Sequence, residues 1–241
     1  MDQQKERAKG ERDGLRQFWV PQNAAEEPLT EISEPAWKIC NDENISTYSA
    51  VGYYFASKLY EELGVPVGIL TSAVGGTVLE QWLDSKLVVK EGVKNPYIHI
   101  GRNSLYNGMI APLMPFAIKG IVWYQGESDC APGLAEVFPD KLAALMTYMR
   151  TTHNPVSPDF PVYLIEFPPI FRQSAVSVIP AGQTWAFMDL GLVRGTLGSV
   201  THRIPACHVV SSADLWTDRT YWNSLHPNCK FEQARRAAGI A

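Results

Sequence analysis

The run Ile121–Ser128, IVWYQGES, constrains this chain most, because a β-branched and aromatic stretch stops abruptly at small and polar residues. A strand covered on both faces reads as an unbroken apolar run, so the pattern is that of a buried parallel strand delivering polar groups to one edge of a sheet. In open α/β sheets the ligand crevice lies outside the carboxyl ends of the strands, which puts Gln125, Gly126, Glu127 and Ser128 where chemistry is done. Two other strand-like runs end the same way. Val67–Leu70 leads into Ser72-Ala73-Val74-Gly75-Gly76-Thr77, and Cys207–Val210 leads into Ser211-Ser212-Ala213-Asp214, with His226-Pro227 following.

From residue 48 onward helical and strand-like segments alternate, which is the signature of βαβ construction with a mainly parallel sheet covered on both faces. Tyr48–Leu63 puts Val51, Phe55, Leu59 and Leu63 on one stripe and is stopped by Gly64 and Pro66. A second helix opens near Pro139 and Asp140 and turns Leu142, Leu145, Met146 and Met149 inward. Val162–Phe167 is the next strand, a helix is expected over 184–194, and Asn228–Ile240 closes the chain as a helix with Phe231, Ala234 and Ala238. Residues 84–117 are rich in Gly and Pro and read as a long irregular excursion, a kind of loop that is commonly functional.

The bulk properties exclude several classes. With 241 residues, 46% hydrophobic and 19% charged, the chain suits a single α/β domain. A net charge of -4 is no nucleic-acid footprint, and the basic stretch Lys5–Arg16 is interleaved with Glu6, Glu11 and Asp13. Residues 1–14 are therefore expected as a charged, poorly ordered terminus, and 15–241 as the domain. No window approaches the roughly 18 consecutive apolar residues of a membrane span, and the charged start is not of secretory-signal type. Cys40, Cys130, Cys207 and Cys229 lack zinc-ligand spacing and read as buried thiols, so neither metal nor cofactor is expected. Gly75-Gly76-Thr77 is not a dinucleotide fingerprint, and no Walker lysine follows a glycine loop.

The phrases Tyr48–Ala56 (YSAVGYYFA), Gly64–Ile69 (GVPVGI), Gly75-Gly76-Thr77 with Glu80 and Trp82, Leu105–Leu113 (LYNGMIAPL), Trp123–Ser128 (WYQGES) and His226–Lys230 (HPNCK) resemble, in order and spacing, the sialate O-acetylesterase family of carbohydrate acetylesterases. That family lies among the SGNH or GDSL hydrolases. The resemblance implies a three-layer α/β/α, flavodoxin-like SGNH-hydrolase fold, and hydrolysis of acetyl esters on the hydroxyls of sialic acid or an acetylated polysaccharide. It implies no cofactor, no nucleic-acid partner and no membrane span. The family carries its nucleophilic serine in a Gly-Gln-Ser-Asn-Met motif ending the first strand. No Gly-Gln-Ser-Asn occurs here, so Met1 is taken to resemble the methionine of the motif, and the first strand and the serine are expected to be missing. A non-catalytic relic that binds acetylated glycans is the alternative from another class.

Ester hydrolysis needs an activated hydroxyl, a base and donors aimed at the oxyanion. The resemblance makes His226 the base. Three residues before it, where many SGNH enzymes carry the orienting acid, stands Asn223, which leaves Asp214 and Asp218 as candidates. Backbone N–H groups at Gly75 and Gly76 and the side-chain amide of Gln125 are the implied oxyanion donors. Glu127 is expected to shape the loop beside them and, with Arg102, Asn103 and Asn107, to be a candidate substrate contact. His99, His153, His202 and His208 sit in no matching phrase, although His99 is kept as an outside candidate for substrate contact. Trp82, Trp123 and Tyr124 are expected in the core.

Overall fold

Capping chemistry sets the first helix of the computed structural model, which describes residues 6, 10–34, 36–87, 101–114, 116–130, 133–153, 159–166, 190–215 and 230–241. α1 (Ala50–Leu63) starts where the Ser49 side chain accepts from the Gly52 N–H at 3.3 Å. It stops at Gly64, whose φ of +64° is a left-handed conformation suited to glycine, and the Gly64 N–H closes on the Tyr60 carbonyl. The buried stripe is not the expected one: Tyr53, Tyr54, Ala56 and Ser57 are covered, whereas Val51, Phe55 and Leu59 are half-buried and Leu63 is exposed. Cover from two directions explains the rotation. The final helix packs along one side, with Phe231 edge-on to Tyr54 at 5.1 Å, and a polar cluster fills the other.

That polar cluster reaches into the segment expected as a loose terminus. β1 (Arg12–Trp19) begins within the charged stretch, and Glu6 is buried, accepting from the Tyr53 hydroxyl at 2.6 Å and lying 3.5 Å from Arg12. Arg12 also donates to Tyr53 and Ser57. A buried guanidinium is tolerated only with such partners. β1 runs antiparallel to β2 (Trp37–Cys40), with Phe18 opposite Trp37, and parallel to β3 (Val67–Thr71), from Leu15 opposite Val67 to Trp19 opposite Thr71.

β4 (Ile121–Trp123), β5 (Val162–Ile165) and β6 (Cys207–Val210) form a second sheet, parallel throughout and with β5 central. Among the described residues the strands thus make two three-stranded sheets, with no ladder between β3 and β4. Side chains bridge the seam instead. Val51 and Phe55 of α1 pack both on the cluster around Leu15 and Tyr53 and on the cluster of Tyr163, Ile165 and Val210.

The largest core lies on the other face. α2 (Phe138–His153) turns Leu142, Leu145, Met146 and Met149 inward as its spacing predicts, against Val193, Leu197 and Val200 of α3 (Leu190–Thr201) and Val162 and Leu164 of β5. The helix expected over 184–194 agrees with α3 from Leu190 on; 184–189 lie outside the described residues. α4 (Lys230–Ile240) closes the chain. Within the excursion, residues 105–110 are buried, with a π-helical turn at Tyr106–Ile110. Segment 23–29 crosses it so closely that a Cβ on Gly108 would lie 2.0 Å from the Asn23 carbonyl oxygen. Such an approach admits only glycine.

Candidate active site

β3 ends at Thr71 and its continuation turns through Gly75 and Gly76, both exposed, with Gly76 at φ +74°. A Cβ built on either would meet no atom within 4 Å beyond its chain neighbours, so the turn borders open space on that side. Thr77 shapes the turn: its hydroxyl donates to the Val74 carbonyl at 2.9 Å and accepts from the Trp82 indole at 3.0 Å. A 3-10 turn, Leu79–Trp82, follows. One strand away, β4 passes through Tyr124 to Gln125, and Gly126 adopts φ 145°, a region open to glycine, to start the 3-10 turn Glu127–Asp129. The Gln125 amide reaches across and donates to the Thr77 carbonyl at 3.0 Å. Gln125 is thereby tied to Thr77, the residue that follows Gly75-Gly76, across two strand ends.

Behind them lies a carboxylate that the sequence reading did not single out. Asp129 is 1% exposed, accepts from the Gln125 amide at 2.5 Å and takes the Leu79 N–H at 3.1 and 3.2 Å on its two oxygens. Burial pushes its carboxyl up to about 7; the Gln125 bond opposes this, the nearby Glu80 charge reinforces it, and the Leu79 N–H and Lys141 pull it down. Glu80 and Lys141, the latter almost fully buried, form an ion pair linking the Leu79–Trp82 turn to α2. With both Gln125 hydrogens spent inward, its amide oxygen is buried without a hydrogen-bond partner. The only sequence signal was a carboxylate four positions after Gln125, directly behind a strand end.

The remaining candidates divide. His226, Asp218 and Asn223 lie outside the described residues, as does His99. Asp214 places both carboxylate oxygens on the Arg236 guanidinium at 2.6 Å, and that bidentate bond holds its carboxyl down at about 2. A second acid stands at the same edge: Glu166, just after β5, accepts from the Ser211 hydroxyl at 2.8 Å and lies 3.6 Å from Arg194. Glu127 opens its turn half-buried. Asn103 donates to the Leu83 carbonyl and Asn107 to the Ala25 and Glu26 carbonyls, so both amides brace the scaffold; Arg102 is exposed. His208 stacks on Tyr163 and His202 is exposed. Trp82 is buried, whereas Trp123 and Tyr124 are half-buried. Cys40, Cys130 and Cys207 are buried thiols. Among the described residues no group of three His, Cys, Asp or Glu side chains could hold a metal ion, and no helix is long and apolar enough to cross a membrane.

Lys230, the last residue of the His-Pro-Asn-x-Lys phrase, is informative. Its ammonium lies 2.9 Å from the Tyr124 hydroxyl and 4.4 Å from the centre of that ring, so the start of α4 is fastened to Tyr124, the residue before Gln125.

Comparison with known proteins agrees with this architecture. The sialate O-acetylesterases of Homo sapiens and Pongo abelii are each 28% identical to the chain over 202 residues, covering 78% of it and 37% of their own length. That of Rattus norvegicus is 26% identical over 269 residues, covering 92% of the chain and 48% of itself. The chain thus spans less than half the length of these curated relatives. A carbohydrate acetylesterase from Xanthomonas citri, known from its crystal structure, matches 99% of the chain with a TM-score of 0.79 and 26% identity, the match covering 50% of that protein. The fold is the α/β fold of that acetylesterase, as the order of the phrases implies. Residues 17–225, from within β1 to beyond β6, match the family described as carbohydrate esterase, sialic acid-specific acetylesterase, and it is to this family that the chain belongs.

Proposed function

We propose that the chain serves hydrolysis of acetyl esters on sugar hydroxyls, of sialic acid or an acetylated polysaccharide, through a serine-type acyl-enzyme. The serine oxygen attacks the acetyl carbonyl while His226 takes its proton. The backbone N–H groups at Gly75 and Gly76 and the Gln125 amide hold the negative charge that forms on the carbonyl oxygen. The imidazolium then protonates the departing sugar oxygen, and water, activated by the same ring, releases acetate. No Gly-Gln-Ser-Asn occurs among these residues, so the reading assigns the nucleophile to sequence outside them and makes the 241 residues inactive alone.

The observation that carries the reading is the Gln125–Thr77 bond, which draws the end of β4 onto the open Gly75-Gly76 turn. The Lys230–Tyr124 contact supports it, because Lys230 follows His226 by four residues and is held one residue from Gln125. Each donor then needs only to meet the oxyanion in place of water or, for Gln125, of one present acceptor. The test is release of acetate from an aryl acetate and from an O-acetylated sugar. The 241-residue chain would be compared with a form extended N-terminally by its in-frame upstream codons. Activity confined to the extended form is expected. Comparable activity in the short chain, lost on mutating Ser72 or Ser104, would relocate the nucleophile. Tight binding of the acetylated sugar by both forms without turnover would favour the glycan-binding alternative.

A further inference from the structure

Both hydrogens of the Gln125 amide are committed before any substrate arrives, one to the Thr77 carbonyl at 3.0 Å and one to Asp129 at 2.5 Å. Asp129 sits behind the strand end, away from solvent, and also takes the Leu79 N–H. The charged groups that face it are Glu80, from the turn after Gly75-Gly76, and Lys141, from α2. A carboxylate is costly to bury, and an apolar side chain of like size would avoid that cost, so its retention points to something only its bonds supply. Here the bonds join the residue after β4 to the turn after β3.

We infer that Asp129 is a positioning residue: its carboxylate fixes the Gln125 amide against the Gly75-Gly76 turn, so that side-chain and backbone donors converge before the reaction begins. The inference rests on the oxyanion role proposed above for Gln125. Donors already ordered reorganise little as charge develops: the Gln125 amide need only exchange its bond to the Thr77 carbonyl for one to the oxyanion while its bond to Asp129 keeps it in place. An ionised Asp129 accepts from Gln125, whereas a protonated one carries its own donor, so the amide must respond to the charge on Asp129.

In the 15N-labelled 241-residue chain, the Gln125 side-chain amide signals are identified by their loss in Gln125→Glu. They are expected to shift with pH about a midpoint of about 7, that of the Asp129 carboxyl. The response should vanish in Asp129→Asn and move to lower pH in Glu80→Gln, which removes the like charge. Signals that stay flat from about pH 5 to 9, or that still titrate in Asp129→Asn, overturn the inference. In whichever form of the protein hydrolyses the aryl acetate, Asp129→Asn should lower kcat roughly tenfold with KM within about twofold, as for loss of an interaction made in the transition state. If Gln125→Ala costs activity while Asp129→Asn does not, the positioning role falls and the oxyanion reading stands. If Gln125→Ala leaves kcat unchanged, the oxyanion reading falls, and the positioning role with it. Should Asp129→Asn fail to fold, the wild-type titration and its displacement in Glu80→Gln still decide.

Discussion

The carboxyls of Asp129 and Asp214 are shifted in opposite directions, the first upward by burial and the second downward by its bond to Arg236. Burial raises the Asp129 carboxyl to about 7, against an unfolded value of roughly 3.9, so the folded chain binds the extra proton more readily than the unfolded one. Its contribution to stability is full below about pH 4 and is lost as pH rises through about 7. The stability of the wild type to urea should fall relative to Asp129→Asn between about pH 4 and 7, by an amount on the order of a few kcal/mol. Parallel pH curves for the two proteins would remove Asp129 as the titrating group. Asp214 is a surface partner of Arg236, with a side chain 65% exposed, so its charge is already engaged by a guanidinium. Asp214→Asn should leave turnover in the active form within about threefold, since exposed ion pairs contribute little. By contrast His226→Ala should cost at least about a thousandfold and Gln125→Ala about a hundredfold in kcat, as for a base and for one oxyanion donor among several. A His226→Ala enzyme retaining more than about a tenth of the activity would show that another group is the base.

At the scale of elements, two glycines give opposite forecasts. Gly108 lies where a Cβ would meet the Asn23 carbonyl oxygen at 2.0 Å, whereas Gly195, within α3, has nothing within 4 Å. Gly108→Ala should destabilise by about 1–3 kcal/mol through overpacking, and Gly195→Ala should stabilise by about 0.5–1 kcal/mol through helix propensity. Thermal melts showing the same sign for both would contradict the packing described around residues 23–29. The same contrast explains what was legible in the sequence. α1, α2 and the four strands β3, β4, β5 and β6 follow from periodicity and punctuation, because Ser49, Gly64 and the apolar runs act through local backbone chemistry. β1 does not stand out in the sequence, because its first residues are polar and stabilised by distant partners, Glu6, Tyr53 and Ser57. α3 runs past Arg194, where the helix expected over 184–194 ends, because Gly195 and Gly198 sit in a helix held by Val193, Leu197 and Val200. The strand ends that build the site were legible for the same local reasons. Asp129 was not, since its role comes from a residue 50 positions away, Leu79, and from an ion pair whose members are 61 apart.

For the molecule as a whole, the question is what joins two sheets that share no ladder. β5 is hydrogen-bonded on both sides, to β4 and β6, whereas among the described residues β3 is laddered only to β1 and β4 only to β5. α1 spans the seam through Val51 and Phe55 and packs along α4, which ties the two cores from outside. At the carboxyl edge the seam is crossed by polar bonds, Gln125 to Thr77 and Leu79 to Asp129. The candidate site is thus also a fastening between the sheets, and stability there should be lower than in the centre of the second sheet. Hydrogen exchange of the 241-residue chain should find the β5 amides slowest, with those of β3 and β4 at least about tenfold faster. Asp129→Asn should speed exchange in β3, in β4 and in residues 74–82 while leaving β5 nearly unchanged, because it cuts a bond across the seam and none within the second sheet. Acceleration spread evenly over all peptides would mean that Asp129 supports the fold at large, and equal protection of β3, β4 and β5 in the wild type would mean that the strands behave as one continuous sheet.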